Sequence, residues 1–160
     1  MGRLNAMESR TQRGHEEPLA RQFSVFLANR VGQLKDLLDV LDSKELAVLG
    51  LTVVDSTDWA VLRLVFSDPN KAREVLRGHG VSFTESRVLL VELHNGQALA
   101  DVCDALVRAE VSIHFAFPLT LRSEGHPVMV LQPEDTILAQ QVLARRGFNL
   151  IGDEDLADEP

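Results

Sequence analysis

The sequence predicts an α+β protein made of two copies of one unit, each about 65 residues long. The first observation behind this prediction is an internal repeat. Segments 29–37 and 94–102 each place a polar turn between an apolar strand and a helix, with Leu34 and Leu99 in register. The second observation is an order of patterns, strand, helix, strand, strand, helix, strand, that occurs twice along the chain. Duplication of one mixed unit explains both observations.

The first unit opens with a strand at residues 23–28, which is apolar on both faces and is therefore expected in the centre of its sheet. Leucines then recur at helical spacing and predict an amphipathic helix that runs to about Lys44. These leucines are Leu34, Leu37, Leu38 and Leu41. Segments 47–55 and 59–66 predict two strands, which the turn residues 56–58 join as a hairpin.

A second helix follows the hairpin, because Asp68 is a capping residue and Pro69 suits the first helical position. The helix is expected to end near Gly80, and segment 81–85 predicts the fourth strand. The second unit repeats this order. Its strands are predicted at 88–93, 111–119, 127–131 and 148–151, and its helices are predicted to begin near Leu99 and after Pro133.

Two such units correspond to split βαβ modules of the ferredoxin-like type. Right-handed crossovers place both helices of a unit on one face of an antiparallel sheet, with the first and third strands in its centre. A single unit of this size has a modest core and an exposed edge. We therefore expect two units side by side, as an antiparallel sheet of about eight strands with four helices on one face.

The domain boundaries follow from composition. Residues 1–21 are rich in Arg, Glu, Gln and Gly without an apolar period, which predicts a flexible arm. The first domain is assigned to 22–87 and the second to 88–156, with 157–160 as the end of an acidic tail. Met1 and Met7 are both possible natural starts.

Charge and composition argue against several classes of function. A formal net charge of −8 and a pI of about 5.0 argue against nucleic acid and anionic membranes as partners, because both need an excess of Lys and Arg. No apolar run is long enough to cross a bilayer, and the first residues lack the apolar centre of a secretory signal. The single cysteine, Cys103, agrees with a reducing compartment. We expect a cytoplasmic protein.

Three features of the first unit carry a resemblance to a known family: the strand that runs into the turn Asn29-Arg30-Val31-Gly32-Gln33-Leu34, the Leu-rich helix after it, and the strand Val53-Val54-Asp55 before a hairpin. Together they resemble the ACT domain, the small-molecule regulatory module of amino-acid metabolism. Val31 stands where family members usually have Pro. From residue 22 to about 156 the chain resembles stand-alone tandem ACT proteins that bind amino acids. The resemblance implies a regulatory protein without a cofactor, with a free amino acid as its ligand.

The chemistry of the first turn (residues 29–34) suits that ligand. Gly32 lets a ligand approach the backbone, and the first amides of the following helix lack partners inside the helix. A carboxylate fits those donors and the positive end of the helix dipole, while the Asn29 side chain and backbone carbonyls near Ala28 can accept from an ammonium group. The candidate ligand-binding residues are Asn29, Arg30, Val31, Gly32, Gln33 and Leu34. The simpler alternative makes Asn29 a helix cap and Gly32 a tight turn, with no ligand.

The second turn (residues 94–99) is less similar to the family pattern. It keeps Leu99, but Gly96 stands at the Pro position and Gln97 at the Gly position. His94 takes the place of Asn29 and is a possible donor to a ligand carboxylate. The candidate ligand-binding residues are His94, Asn95, Gly96, Gln97 and Leu99. His126 is expected at the surface beside a turn.

Nothing in the sequence predicts catalysis, so we assign no catalytic residue and no metal ligand. The five histidines show no metal-binding spacing, and no phosphate loop or nucleophile elbow occurs. The first alternative is an acylphosphatase-like enzyme, which shares the ferredoxin-like topology. The second is a protein-interaction module without a ligand. The favoured hypothesis is an amino-acid sensor that binds its ligand at the turn between the first strand and first helix, at an interface of ACT units. Its expected partners are a second copy of the chain and a regulated enzyme.

Overall fold

A computed structural model describes residues 19–28, 31–94, 96–123 and 125–157 of the chain. It divides into two compact units. The N-terminal unit comprises residues 21–86, and the C-terminal unit begins at Arg87 and also takes in Leu19 and Ala20. The strand β4 contains the boundary, since it runs from Ser82 to Glu92.

The N-terminal unit has the predicted strand–helix–strand–strand–helix–strand order. Its elements are β1 (Ala20–Ala28), α1 (Gln33–Ser43), β2 (Val48–Asp55), β3 (Trp59–Phe66), α2 (Pro69–His79) and the first residues of β4 (Ser82–Glu92). The strand order is β2-β3-β1-β4, so the first and third strands are central as the topology requires. Antiparallel pairing sets Ala28 opposite Trp59, which brings the end of β1 beside the start of β3.

One hydrophobic core holds the N-terminal unit together. Alternate residues of β1, Phe23, Val25 and Leu27, point to the same side and pack with Leu37 of α1 and Leu76 of α2. Because both helices share one core with one face of the strands, they lie on the same side of this unit's sheet. The core also contains Leu41, Leu46, Leu62, Leu64, Phe66 and Ala72.

The C-terminal unit repeats the pattern. Its elements after β4 are α3 (Leu99–Arg108), β5 (Ile113–Ser123), β6 (His126–Pro133), α4 (Thr136–Arg145), β7 (Asn149–Ile151) and α5 (Asp153–Ala157). Its strand order is β5-β6-β4-β7. Its separate core joins Leu89 and Val91 of β4 to residues of both long helices, among them Leu106 and Leu143.

The predicted α+β tandem of ferredoxin-like units is confirmed, with two differences in the count of elements. The described residues contain seven strands rather than about eight, because segments 81–85 and 88–93 form the single strand β4. They contain five helices rather than four. The added helix, α5, lies at the end of the second domain, where the sequence analysis predicts no helix, and it buries Leu156 and Asp155.

Candidate functional site

Gly32 connects the first turn to α1. It is the N-cap residue of that helix and has a φ of +87°, a left-handed conformation that glycine adopts without steric cost. A Cβ placed on Gly32 would meet nothing within 4 Å, so the space beside its backbone is open. Val31 is fully exposed. Two further candidates of this turn, Asn29 and Arg30, lie outside the described residues, and the last two, Gln33 and Leu34, are the first residues of α1.

The helix that begins at Gln33 has free donors at its start. The first helical hydrogen bond is donated by the Asp36 N–H to the Gly32 carbonyl at 2.9 Å, and the three preceding amides have no acceptor within the helix. No side chain caps this helix among the residues that the structure describes. By contrast, Asp68 accepts from Lys71 N–H at the start of α2, and Asp135 accepts from Leu138 N–H at the start of α4.

A positive side chain also lies in the first turn of α1. The Lys35 ammonium is 2.7 Å from the Asp39 carboxylate one turn further along, and this hydrogen bond raises the pKa of Lys35. Both side chains are largely exposed. The cation stays charged at neutral pH beside a helix end that attracts anions.

Apolar side chains are exposed next to the first turn, on the face of the sheet opposite the helices. Phe26 lies between the core residues Val25 and Leu27, so it points to the other face. It pairs with Val61 across β1 and β3, and Val61 pairs in turn with Val54 of β2. Trp59 is about half exposed. We call Phe26, Val54 and Trp59 the outer patch.

The second turn has a different geometry. Gly96 has the left-handed φ of +78°, but it stands three residues before the start of α3 at Leu99, whereas Gly32 stands one residue before α1. The Gln97 side chain accepts from His94 N–H at 2.9 Å, and the Gln97 N–H donates to the His94 carbonyl at 2.7 Å. Asn95 lies outside the described residues.

Within the described part of the chain, the N-cap residue of α3 has no side-chain cap either, but its backbone N–H is bonded. The Asp101 carboxylate accepts from the N–H of Ala98, the N-cap residue, at 2.8 Å. The Gln97 amide nitrogen donates to the Gly147 carbonyl at 3.4 Å, which connects the turn to the loop before β7. Leu99 is exposed, whereas its counterpart Leu34 packs against the core of its own unit.

A buried acid lies beside the second turn. The Glu92 side chain is fully buried, and its Oε1 contacts His94 Nε2 and accepts from Asn149 Nδ2 at 3.0 Å. The other oxygen, Oε2, is buried without a hydrogen-bond partner in the described part of the chain. The His94 ring stacks on His126 with ring centroids 4.2 Å apart.

Several of these contacts involve residues that the sequence interpretation did not select. His126 was expected at the surface but stacks on His94, and Glu92, Asp101 and Asn149 were not singled out. The sequence contains one indication that Glu92 is unusual. It is an acid in the apolar strand 88–93, and it lies on the same face of the strand as Val88 and Leu90, which are buried. Among the described residues no group of three or more His, Cys, Asp or Glu is arranged to hold a metal ion.

Two surface grooves lie away from both turns. One, of about 420 Å³, lies between α1 and α2, and the other, of about 690 Å³, lies along α3 and the start of β5. Neither contains a residue of either turn. No helix in the described ranges is both long and apolar enough to cross a membrane.

Comparison with known proteins identifies similar chains. A family model described as an ACT domain pair matches residues 19–159. The chain is similar to the crystal structure of protein BT0572 from Bacteroides thetaiotaomicron, with 25% identity, a TM-score of 0.78, and coverage of 88% of this chain and 97% of that one. The regulatory subunit of aspartate kinase from Thermus thermophilus, in its ligand-free form, shares the fold at 12% identity and a TM-score of 0.55, with coverage of 79% and 95%. The search of curated proteins gives no match.

Proposed function

The chain belongs to the ACT domain pair family, and from this we propose that it is a regulatory protein that binds a free amino acid at its first turn. The observation that carries the proposal is the start of α1. Gly32 leaves open space there, and no described side chain caps the helix, although Asp68 and Asp135 cap the second helices of both units. An anion is the natural occupant of such a helix end.

The two charged groups of an amino acid have matching partners at this turn. The carboxylate would accept from the amides of Gln33 and Leu34, with the Lys35 charge nearby. The ammonium would donate to the Ala28 carbonyl and to the side-chain oxygen of Asn29. Since both groups bind to backbone or to short side chains, the ligand side chain would point outward, and specificity would depend on what covers the turn.

A second copy of the chain is the cover that we propose. The outer patch leaves Phe26, Val54 and Trp59 exposed, and Ala28 pairs with Trp59 at the same end of the sheet as the first turn. Exposed aromatic and aliphatic side chains beside an edge strand favour association. A homodimer that buries this patch would bring an element of the second copy close to the ligand. Ligand binding and dimerisation would then stabilise each other.

The proposed output is regulation rather than catalysis. Coupling of about 1–3 kcal/mol between ligand binding and a partner equilibrium is sufficient for useful control. The partner would be a second copy of the chain or a regulated enzyme of amino-acid metabolism.

A thermal-shift screen of the twenty amino acids at millimolar concentration tests the proposal. A ligand present at 100 times its Kd stabilises the fold by about 2.7 kcal/mol, which is a measurable increase in Tm. We expect one or a few amino acids to raise the Tm. Gly32→Val should abolish the increase, because its side chain would fill the open space beside the helix amides.

Gly80→Val is the matched control. Gly80 also has a left-handed φ, +77°, and a Cβ there would also meet nothing within 4 Å, so the backbone strain is alike. This residue caps the end of α2 rather than the start of α1. The control should therefore keep the ligand effect. No increase with any amino acid, or an increase that survives Gly32→Val, contradicts the proposal.

A protein-interaction module without a ligand is the second candidate, and the outer patch favours it. In that case Trp59→Ser would weaken association in sedimentation, and no amino acid would change either the Tm or the association. An effect of an amino acid on both would support the sensor instead.

A further inference from the structure

We infer that the second turn is closed by the chain's own side chains and that the C-terminal unit takes no amino acid there, so that each chain binds one ligand, at the first turn. This inference rests on the proposed function for the binding at the first turn. The closure itself rests on contacts within the C-terminal unit. Two groups of residues carry it, one at the start of α3 and one at the end of β4.

At the start of α3, Asp101 already supplies a carboxylate. Its Oδ2 accepts from Ala98 N–H at 2.8 Å, in the region where a ligand carboxylate would have to approach the helix end. A second carboxylate would be repelled by the first, because both carry negative charge at the same helix terminus. In the first turn the first charged side chain after Gly32 is the cation Lys35, and the acid Asp36, which aligns with Asp101, makes no cap hydrogen bond among the described residues.

The Gln97 side chain hydrogen bonds to the backbone of the second turn, where the aligned residue of the first turn has no side chain. Gln97 aligns with Gly32 in the repeat. Its amide oxygen accepts from His94 N–H, and its amide nitrogen donates to the Gly147 carbonyl. A ligand would have to break both hydrogen bonds before it reached the backbone.

The acid Glu92 adds a further barrier to an anionic ligand. Its carboxylate is fully buried, and His94 occupies the position beside it while stacking on His126. The candidate donor His94 is therefore in contact with an acid of its own unit. A ligand carboxylate that displaced Glu92 from His94 would leave this buried acid with Asn149 as its hydrogen-bond donor.

Amide hydrogen exchange on the full chain tests the closure without any ligand. The amides of His94, Gln97 and Ala98 are all hydrogen bonded within the turn. We expect Gln97→Ala to speed the exchange of the His94 amide roughly tenfold, and Asp101→Ala to do the same for the Ala98 amide. Asp104→Ala is the control, since it removes an acid of the same helix that pairs with Arg108 and not with the turn. If the His94 and Ala98 amides exchange at the same rates in all three variants and in the parent, the inference that side chains close the turn is wrong.

Amide chemical shifts during titration with an equimolar mixture of the twenty amino acids test the exclusion. In the parent chain we expect changes at Gln33 and Leu34 and none at Leu99 and Ala100. The variant Gln97→Gly with Asp101→Ala, which opens the turn, should gain changes at Leu99 and Ala100. Changes there in the parent overturn the inference, and so does an opened, folded variant that gains none. Failure of the proposed function would be recognised separately, because the amide chemical shifts of Gln33 and Leu34 would then not change during the titration.

Discussion

The two turns occupy equivalent places in the repeat but differ in how each helix start is satisfied. In the first turn Gly32 adjoins α1, no described side chain caps the helix, and Lys35 provides a positive charge. In the second turn Gln97 and Asp101 hydrogen bond to the turn backbone. The two turns therefore share a place in the repeat but differ in the side chains that hydrogen bond to their backbone.

A shift of one residue in the sequence produces most of this difference. Gly96 precedes the position equivalent to Gly32 by one residue, and α3 begins one residue later in the repeat than α1. The left-handed residue is consequently two positions further from the helix in the second turn. A turn can keep its chain reversal through such a shift, whereas we expect a site made of backbone donors to be sensitive to it.

The largest effect predicted for the second turn is that of His94→Ala. Removing the imidazole leaves the buried Glu92 carboxylate without its contact to His94, and we expect unfolding free energy to fall by about 2–3 kcal/mol. Urea denaturation measures the change. Adding Glu92→Gln should recover part of the loss, because the neutral amide has no charge to compensate and can still accept from Asn149. A loss below about 0.5 kcal/mol, typical of surface substitutions, would show that the pair stabilises nothing.

A smaller effect is expected for Asp101→Ala. The substitution removes the acceptor for Ala98 N–H and should cost about 1 kcal/mol of stability, as the loss of a helix cap does. At the first turn Asp36→Ala is the matched variant, since Asp36 aligns with Asp101 in the repeat but makes no cap hydrogen bond among the described residues. Urea denaturation of both variants compares the two helix starts. Equal losses would contradict the difference described between the turns.

The smallest effect concerns an ion pair remote from both turns. Arg73 of α2 donates two hydrogen bonds of 2.7 Å to Glu85 of β4, and this pairing lowers the pKa of Glu85 below its ordinary 4.5. A lowered pKa stabilises the fold at pH values above 4.5, and this contribution is lost as the pH falls through the lowered pKa. Since both side chains are partly exposed, the effect should be smaller than that of Asp101→Ala.

The variant Arg73→Met measures this contribution. Its stability in urea should differ most from the parent at neutral pH, and the difference should shrink as the pH falls below 4.5. The ligand effect at the first turn should be unchanged. If the stability difference between Arg73→Met and the parent grew as the pH fell, the pairing would not stabilise the fold in the way proposed.

The sequence predicts the fold of this chain better than its candidate site, for physical reasons. Leu37 and Leu41 repeat at helical spacing, and Asp68 followed by Pro69 marks a helix start, so local patterns are sufficient for these elements. The merging of two predicted strands into β4 has no local signal, because Arg87 suits a strand as well as a loop.

The contacts of the second turn depend on residues far apart in sequence. Glu92 meets Asn149 because β4 pairs with β7, and His94 meets His126 because β6 lies beside β4. Only the folded sheet brings these side chains together. For this reason the sequence predicts both turns as candidates, and only the structure shows how their contacts differ.

A crystal structure of the chain with the amino acid that raises its Tm the most tests the central claim most directly. We expect the ligand carboxylate to lie within hydrogen-bond distance of the Gln33 and Leu34 amides, beside Gly32, and the second turn to keep the contacts of Gln97 with His94 and of Asp101 with Ala98. A ligand bound at Leu99 and Ala100, or away from both turns, would contradict binding at the first turn.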